Sequence, residues 1–264
     1  MNPEFGAAYI AAVTTDAIQV DINRLAEQGY ATNTIRRING VLRGVMTVAV
    51  RRRYIATNPC DALDLPAADD HVEMLFLDPA EIHTLVAALP VEWRTPVYLA
   101  ATVGLRAGEV WGLRRMDVDL LTGTLYVRQT IKANFGKHLA DLLPADQLGL
   151  VVSTPKSRAS RRKVALPEAT RRMLADHLSS SLPSGPAASA VIFTLPGGTP
   201  VQHGNFYARI FKPTVRACLP PEKAGLRFHD LRHSAAALSL AVHPDLFVVK
   251  SRLGHSDIKP TINT

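Results

Sequence analysis

Apolar residues recur at helical spacing over two early stretches of the chain. In Thr15–Gly29, Ile18, Ile22 and Leu25 share one face, with Asp16 placed as an N-cap and Gly29 as a C-cap. From Thr32 onward Ile35, Ile38, Leu42, Val45, Met46 and Ala49 repeat with a 3.6-residue period and predict a second helix. Arg36, Arg37, Arg43 and the run Arg51, Arg52, Arg53 decorate that helix and its end. The stretch TNPCDALDLPAADD then breaks the period with two prolines and a cluster of aspartates. It reads as an interdomain linker near residues 58–72. A small helical domain over residues 1–65 is therefore expected, followed by a second domain over 66–264.

The second domain opens on LDPAEIHTLVAAL, where Asp78 is placed as an N-cap and Pro79 at the first helical position. Further helices are predicted over 95–102 and after Arg106. GTLYVRQTI (123–131) alternates and is rich in β-branched residues, which predicts a strand. Two more strands, 149–154 and 161–166, flank a basic turn. After Pro167 the pattern returns to helices at 167–180, 203–218, 229–241 and 245–253, and SSSLPSGPAASA between them is a loop by composition. The fold class is mainly α with one small antiparallel sheet, an α+β domain beside a helical one.

Composition narrows the class. The chain has 264 residues, 47% of them apolar, enough for one or two domains with real cores. No apolar run approaches the roughly 20 residues that cross a bilayer, and no secretory signal opens the chain. MNPEFG at the start reads as an initiator methionine plus a cloning scar. The two cysteines, Cys60 and Cys218, stand far apart without metal-ligand spacing, so a reduced cytoplasmic protein is expected. A formal net charge of +7 favours a polyanionic partner.

Four stretches carry candidate chemistry, and each alone has an ordinary reading. In GLRAGEVWGL (104–113), Gly104 frees the backbone before Arg106, and Glu109 follows on the same helical face; alone this is a surface ion pair. TPKSRASRRK (154–163) gathers Lys156, Arg158 and Arg161 at a turn that can follow a phosphate backbone, or simply a solvated basic turn. In RFHDLRHSAA (227–236), His229, Arg232 and His233 fall at i, i+3 and i+4, able to face one ligand or only solvent. LGHSD (253–257) places His255 after a glycine, where a cap is the plain alternative. Together they supply what phosphoryl transfer without a metal requires. Arginine pairs bind the charge that builds on non-bridging oxygens, a lysine protonates a leaving oxygen, and histidines act as base or donor.

In these boxes the sequence resembles the tyrosine recombinases of the phage integrase family. GLRAGEV is similar to the family's first arginine box, with Arg106 and its supporting Glu109. TPKSRASRRKVALP resembles the β-hairpin with the catalytic lysine, Lys156; HDLRH the His-x-x-Arg box, with His229 and Arg232; RLGH the later histidine box, with His255. Residues 32–60 resemble the second half of the helical (SAM-like) core-binding domain. The resemblance implies a site-specific recombinase that cleaves and rejoins double-stranded DNA at attachment or crossover sites through a 3′-phosphotyrosine. It also implies a tetrameric synapse, no cofactor, and integration of a phage genome as the expected setting. Arg106, Arg232, Lys156, His229 and His255 would be the catalytic set, and Arg36, Arg37, Arg43, Arg158 and Arg161 further DNA contacts. The family's nucleophilic tyrosine falls just after Thr264 by this pattern, and none of the six tyrosines present matches it. The 264 residues are thus expected to bind DNA without cleaving it, and to lack the terminal helix that packs on a neighbouring subunit.

Two rival readings exist. A zinc hydrolase would use His229, His233 and His255, but Asp230 stands where an H-E-x-x-H site has its glutamate. A non-catalytic DNA-binding relative would be expected to have lost catalytic boxes, whereas all five side chains are present.

Overall fold

The computed structural model describes residues 6, 8–67, 74–133, 150–153, 161–181, 190–196, 198–242 and 245–253. The chain divides into two compact units, Met1–Glu73 and Met74–Thr264.

In the first unit α1 (Thr15–Glu27) and α2 (Thr32–Arg51) follow a single 3-10 turn, Ile10–Ala12. Thr14, rather than the expected Asp16, caps α1: its hydroxyl accepts from the Ala17 N–H at 3.2 Å. Asp16 sits inside the first turn, where its charge still meets the positive end of the helix dipole. Gly29 leaves the helix at φ +77°, the left-handed conformation expected of it. Ile18, Ile22, Ile35 and Met46 are buried together with Cys60.

Cys60 lies in the segment that composition marks as linker, and the structure corrects that reading. Residues 58–66 are strapped onto the two helices. Gln19 donates to the Asp64 carbonyl at 3.0 Å and accepts from its N–H at 2.9 Å. Arg36 donates twice to the Pro66 carbonyl, at 3.0 and 2.8 Å. Arg43 pairs with Asp61 at 2.8 Å. A small two-helix unit has little apolar surface to bury, so it recruits the following strap and its polar groups to close its core.

The second unit begins with α3 (Pro79–Ala88), where Asp78 and Glu81 form a reciprocal capping box. α4 (Val91–Val103) starts four residues before the expected Thr95 and is the buried axis of the unit. Val97, Leu99, Ala100, Ala101 and Val103 are all inaccessible, and its main neighbour is α9 (Asp230–Val242). α5 (Ala107–Trp111) is short and ends in Trp111, which packs against Trp93, Phe193, Phe206 and Phe228. The indole N–H donates to His203 Nδ1 at 3.2 Å.

The helices dominate and the strands are antiparallel, as expected, but the described strands divide into two small sheets. β1 (Val118–Asp119), β2 (Thr124–Val127) and β5 (Arg162–Ala165) form one antiparallel sheet in the order β1-β2-β5; β3 (Thr130–Ala133) pairs with β4 (Leu150–Ser153) in another. The run expected as one strand is broken at Arg128–Gln129, where the Gln129 side chain donates to the Gly112 carbonyl at 2.8 Å. The two strands around the basic turn do not pair with each other, because each takes one half of that broken run as its partner. α6 (Glu168–Ser181) follows. α7 (His203–Phe206) runs through a π turn (Tyr207–Phe211) into α8 (Lys212–Cys218), and α10 (Leu246–Leu253) packs on α9. Among the described residues no helix is long and apolar enough to cross a membrane.

α5 meets β3 backbone to backbone. A Cβ on Gly108 would lie 2.5 Å from the Ile131 carbonyl oxygen and closer still to Thr130 Oγ1, and one on Gly112 would lie 3.2 Å from Ile131 N. Gly108→Ala should therefore push the helix off the strand and cost about 1–3 kcal/mol, as overpacking does. A lower urea midpoint at unchanged m is the expected result, checked by equilibrium unfolding.

Candidate functional site

The site starts where α4 ends. Gly104 takes φ +77° there, which only glycine adopts cheaply. A side chain at 104 would also collide with Leu253 and lie 3.3 Å from the Ala235 Cβ. The turn delivers Arg106 in extended conformation to the N-cap of α5, with Glu109 three residues on. The Arg106 N–H donates to Glu109 Oε2 at 2.9 Å, and its Nη1 donates to Oε1 at 3.0 Å.

A second arginine holds the same carboxylate. Arg162, the first residue of β5, donates from Nη1 to Oε1 at 3.1 Å and from Nη2 to Oε2 at 3.0 Å. The side chains of Arg162 and Glu109 are only 5% and 4% exposed, against 39% for Arg106. Burial alone would raise the Glu109 pKa. The hydrogen bonds and charge of Arg162, then of Arg106, override it and hold the carboxyl below its ordinary value of 4.5.

Arg232 reaches the same place from α9. It is 2% exposed, and it donates from Nη1 to the Gly104 carbonyl and from Nη2 to the Leu253 carbonyl. Burial, then the charges of Arg106 and Arg162, pull its pKa down to about 9, with Glu109 opposing. Among the described residues Arg106 and Arg162 share the Glu109 carboxylate, and Arg232 lies near enough to feel all three charges. His229 stands just before α9, its ring 5.7 Å from that of His233 and perpendicular to it. Desolvation first, then the charges of Arg232 and His233, lower its pKa; Arg106 lowers it further and Asp230 opposes. Desolvation, opposed by Asp230, likewise lowers His233. Both rings are neutral at pH 7, ready to accept a proton or donate a hydrogen bond. Asp230 caps this turn, accepting from the Arg227 N–H at 2.7 Å and from its guanidinium.

The structure thus brings Arg106, Glu109, His229 and Arg232 together. Lys156, Arg158 and His255 lie outside the described residues. Arg161 is exposed just ahead of β5. In the first unit Arg37 is exposed, while Arg36 and Arg43 are engaged with the strap. Among the described residues no group of three His, Cys, Asp or Glu side chains is placed to hold a metal ion. The residue that sequence reasoning passed over is Arg162. Its signal is strand alternation: it lies two residues before buried Val164 and opposite buried Val127, so it faces inward, unlike its neighbours Arg161 and Lys163.

The model described as the phage integrase family matches residues 75–264. A XerC-like tyrosine recombinase of Caldanaerobacter subterraneus subsp. tengcongensis is 27% identical over 277 residues, which cover 99% of this chain and 69% of that protein. A putative prophage phiRv2 integrase of Mycobacterium tuberculosis is 30% identical over 236 residues, covering 88% of this chain and 58% of that one. The chain therefore spans between about half and 69% of the length of such relatives. Among solved structures, a Tn1549 transposon integrase in complex with a circular intermediate DNA matches with a TM-score of 0.80 at 19% identity, covering 99% of this chain and 84% of that chain. At that identity the likeness is one of fold.

The state of Glu109 has a measurable consequence. Its folded pKa lies below the unfolded one, so its ionic contacts contribute stability above the ordinary carboxylate range and lose it as pH falls through the lowered value. Glu109→Gln should cost about 3 kcal/mol at pH 7, since it removes from buried Arg162 a charged partner held by two hydrogen bonds. The gap between wild type and variant should narrow steadily as unfolding is repeated below the ordinary value of 4.5.

Proposed function

The chain belongs to the phage integrase family, and from that premise we propose that Arg106 and Arg232 bind the scissile phosphate of duplex DNA in a tyrosine recombinase. The observation that carries this reading is the charge balance of the site. Among the described residues two guanidinium groups, Arg106 and Arg162, share one carboxylate, and their charges together with burial lower the pKa of nearby Arg232 to about 9. A phosphodiester placed among them relieves that repulsion, and it gains more as negative charge builds on its oxygens in the transition state.

The other roles follow from chemistry and from the family resemblance. Glu109 orients Arg106. Neutral His229 serves as base or hydrogen-bond donor beside both arginines. Lys156 would protonate the leaving 5′ oxygen, and His255 would hydrogen-bond the phosphate. A tyrosine oxygen attacks phosphorus, the bond to the 5′ oxygen breaks, and the 3′-phosphotyrosine keeps the bond energy for the return step. ATP and metal ions are therefore not required. The test reads binding, the step in which the two arginines meet the phosphate. Double-stranded attachment or crossover DNA is the proposed partner, a tetrameric synapse the proposed assembly, and the cytoplasm the proposed compartment. Arg37, Arg158 and Arg161 are proposed to add backbone contacts.

Binding to a labelled duplex should weaken steeply with salt, with a log–log slope of about −0.9 per phosphate neutralised. Arg106→Ala should bind more weakly and with a slope shallower by roughly one contact. Fluorescence anisotropy over a salt series measures both. A flat response in the wild-type protein would refute the reading.

A further inference from the structure

We infer that Arg162 is a positioning residue of the phosphate site, fixing the Glu109 carboxylate in the plane from which it aims Arg106; this rests on the reading of Arg106 and Arg232 as the phosphate-binding pair. Each Glu109 oxygen is shared between the two arginines. Oε1 accepts from Arg106 Nη1 and Arg162 Nη1, and Oε2 accepts from the Arg106 N–H and Arg162 Nη2. The contacts from Arg106 come from three residues away on the same short turn, so on their own they let the carboxylate turn with Arg106. The contacts from Arg162 come from a paired strand 53 residues away and form a parallel two-point fork. That fork sets the plane.

Exposure orders the three groups. Arg162 and Glu109 are almost sealed, and Arg106 is open enough to meet a ligand. Arg162 therefore acts through Glu109. Arg232 is anchored differently, by the carbonyls of Gly104 and Leu253, so disturbing Glu109 affects the two phosphate arginines unequally. In sequence, β5 also follows directly on the basic stretch that contains Lys156. The Glu109–Arg162 contact ties the strand leading out of that stretch to the arginine box. A purely structural ion pair between α5 and β5 would instead affect stability alone, or both arginines alike.

Arginine side-chain N–H signals of the 15N-labelled chain, titrated with inorganic phosphate, separate these cases. In the wild-type protein Arg106 and Arg232 should both shift. In Arg162→Met the affinity should fall roughly tenfold, the scale of a charged hydrogen bond. At saturation the Arg106 shift should collapse while the Arg232 shift persists. Arg162→Lys keeps the buried charge but offers no fork, so it should remain folded and show the same selective loss to a smaller degree. If the Met variant does not fold, the Lys variant decides. Variants that keep the full Arg106 shift and wild-type affinity, or that lose both shifts together while folded, would overturn the positioning role alone. Absence of any shift in the wild-type protein would overturn the phosphate site, and the inference with it.

Discussion

A buried, ionised carboxylate shared by two guanidinium groups sets the geometry on which the rest of this site depends. Glu109 is nearly inaccessible, yet four hydrogen bonds and two positive charges keep it in the charged form despite burial. Its charge in turn permits Arg106 and Arg162 to lie side by side. α5 is only five residues long, and its packing into the core is concentrated at Val110 and Trp111. Its orientation comes from the glycine contacts with β3 on one side and the carboxylate link to β5 on another.

The same arrangement concentrates positive charge at the site. Arg232 is drawn into the interior by two backbone carbonyls and finds two like charges there. Folding energy from the large apolar core, with α4 and Trp111 at its centre, sustains this arrangement. Preorganisation of this kind holds donors where charge will develop, so little reorganisation is needed when an anion arrives. The neutral histidines beside the arginines fit that logic, because protonated rings would add to the repulsion.

Much of this was legible in the sequence, where local rules and tertiary demands agree. The helical periods of α1 and α2, the N-cap at Asp78, and the glycine positions 29 and 104 follow from local pattern, whereas the grouping of Arg106 and Glu109 with His229 and Arg232 was legible only through their shared chemistry and the family resemblance. Apart from helix ends, such as α1 where Thr14 takes the place expected of Asp16, the failures turn on partners distant in sequence. Residues 58–66 look like linker by composition, and contacts to Gln19, Arg36 and Arg43, among others, reveal them as a strap. The break at Arg128–Gln129 is set by the end of α5, which the alternation of 123–131 does not contain. Arg162 was hidden among basic neighbours because charge density masks direction. Its strand parity distinguishes it once the register is known.

The seam between α5 and β3 limits how this protein can change. At Gly108 and Gly112 the main chain of β3 and the Thr130 hydroxyl lie against the helix, which leaves no room for a side chain on the helix side. Drift at those positions leads to collision rather than adjustment. The exposed arginines carry no such restriction, and neither do the loops. Substitution can therefore accumulate on the surface while the spacing between helix and strand, and with it the placement of Arg106, is held by contact.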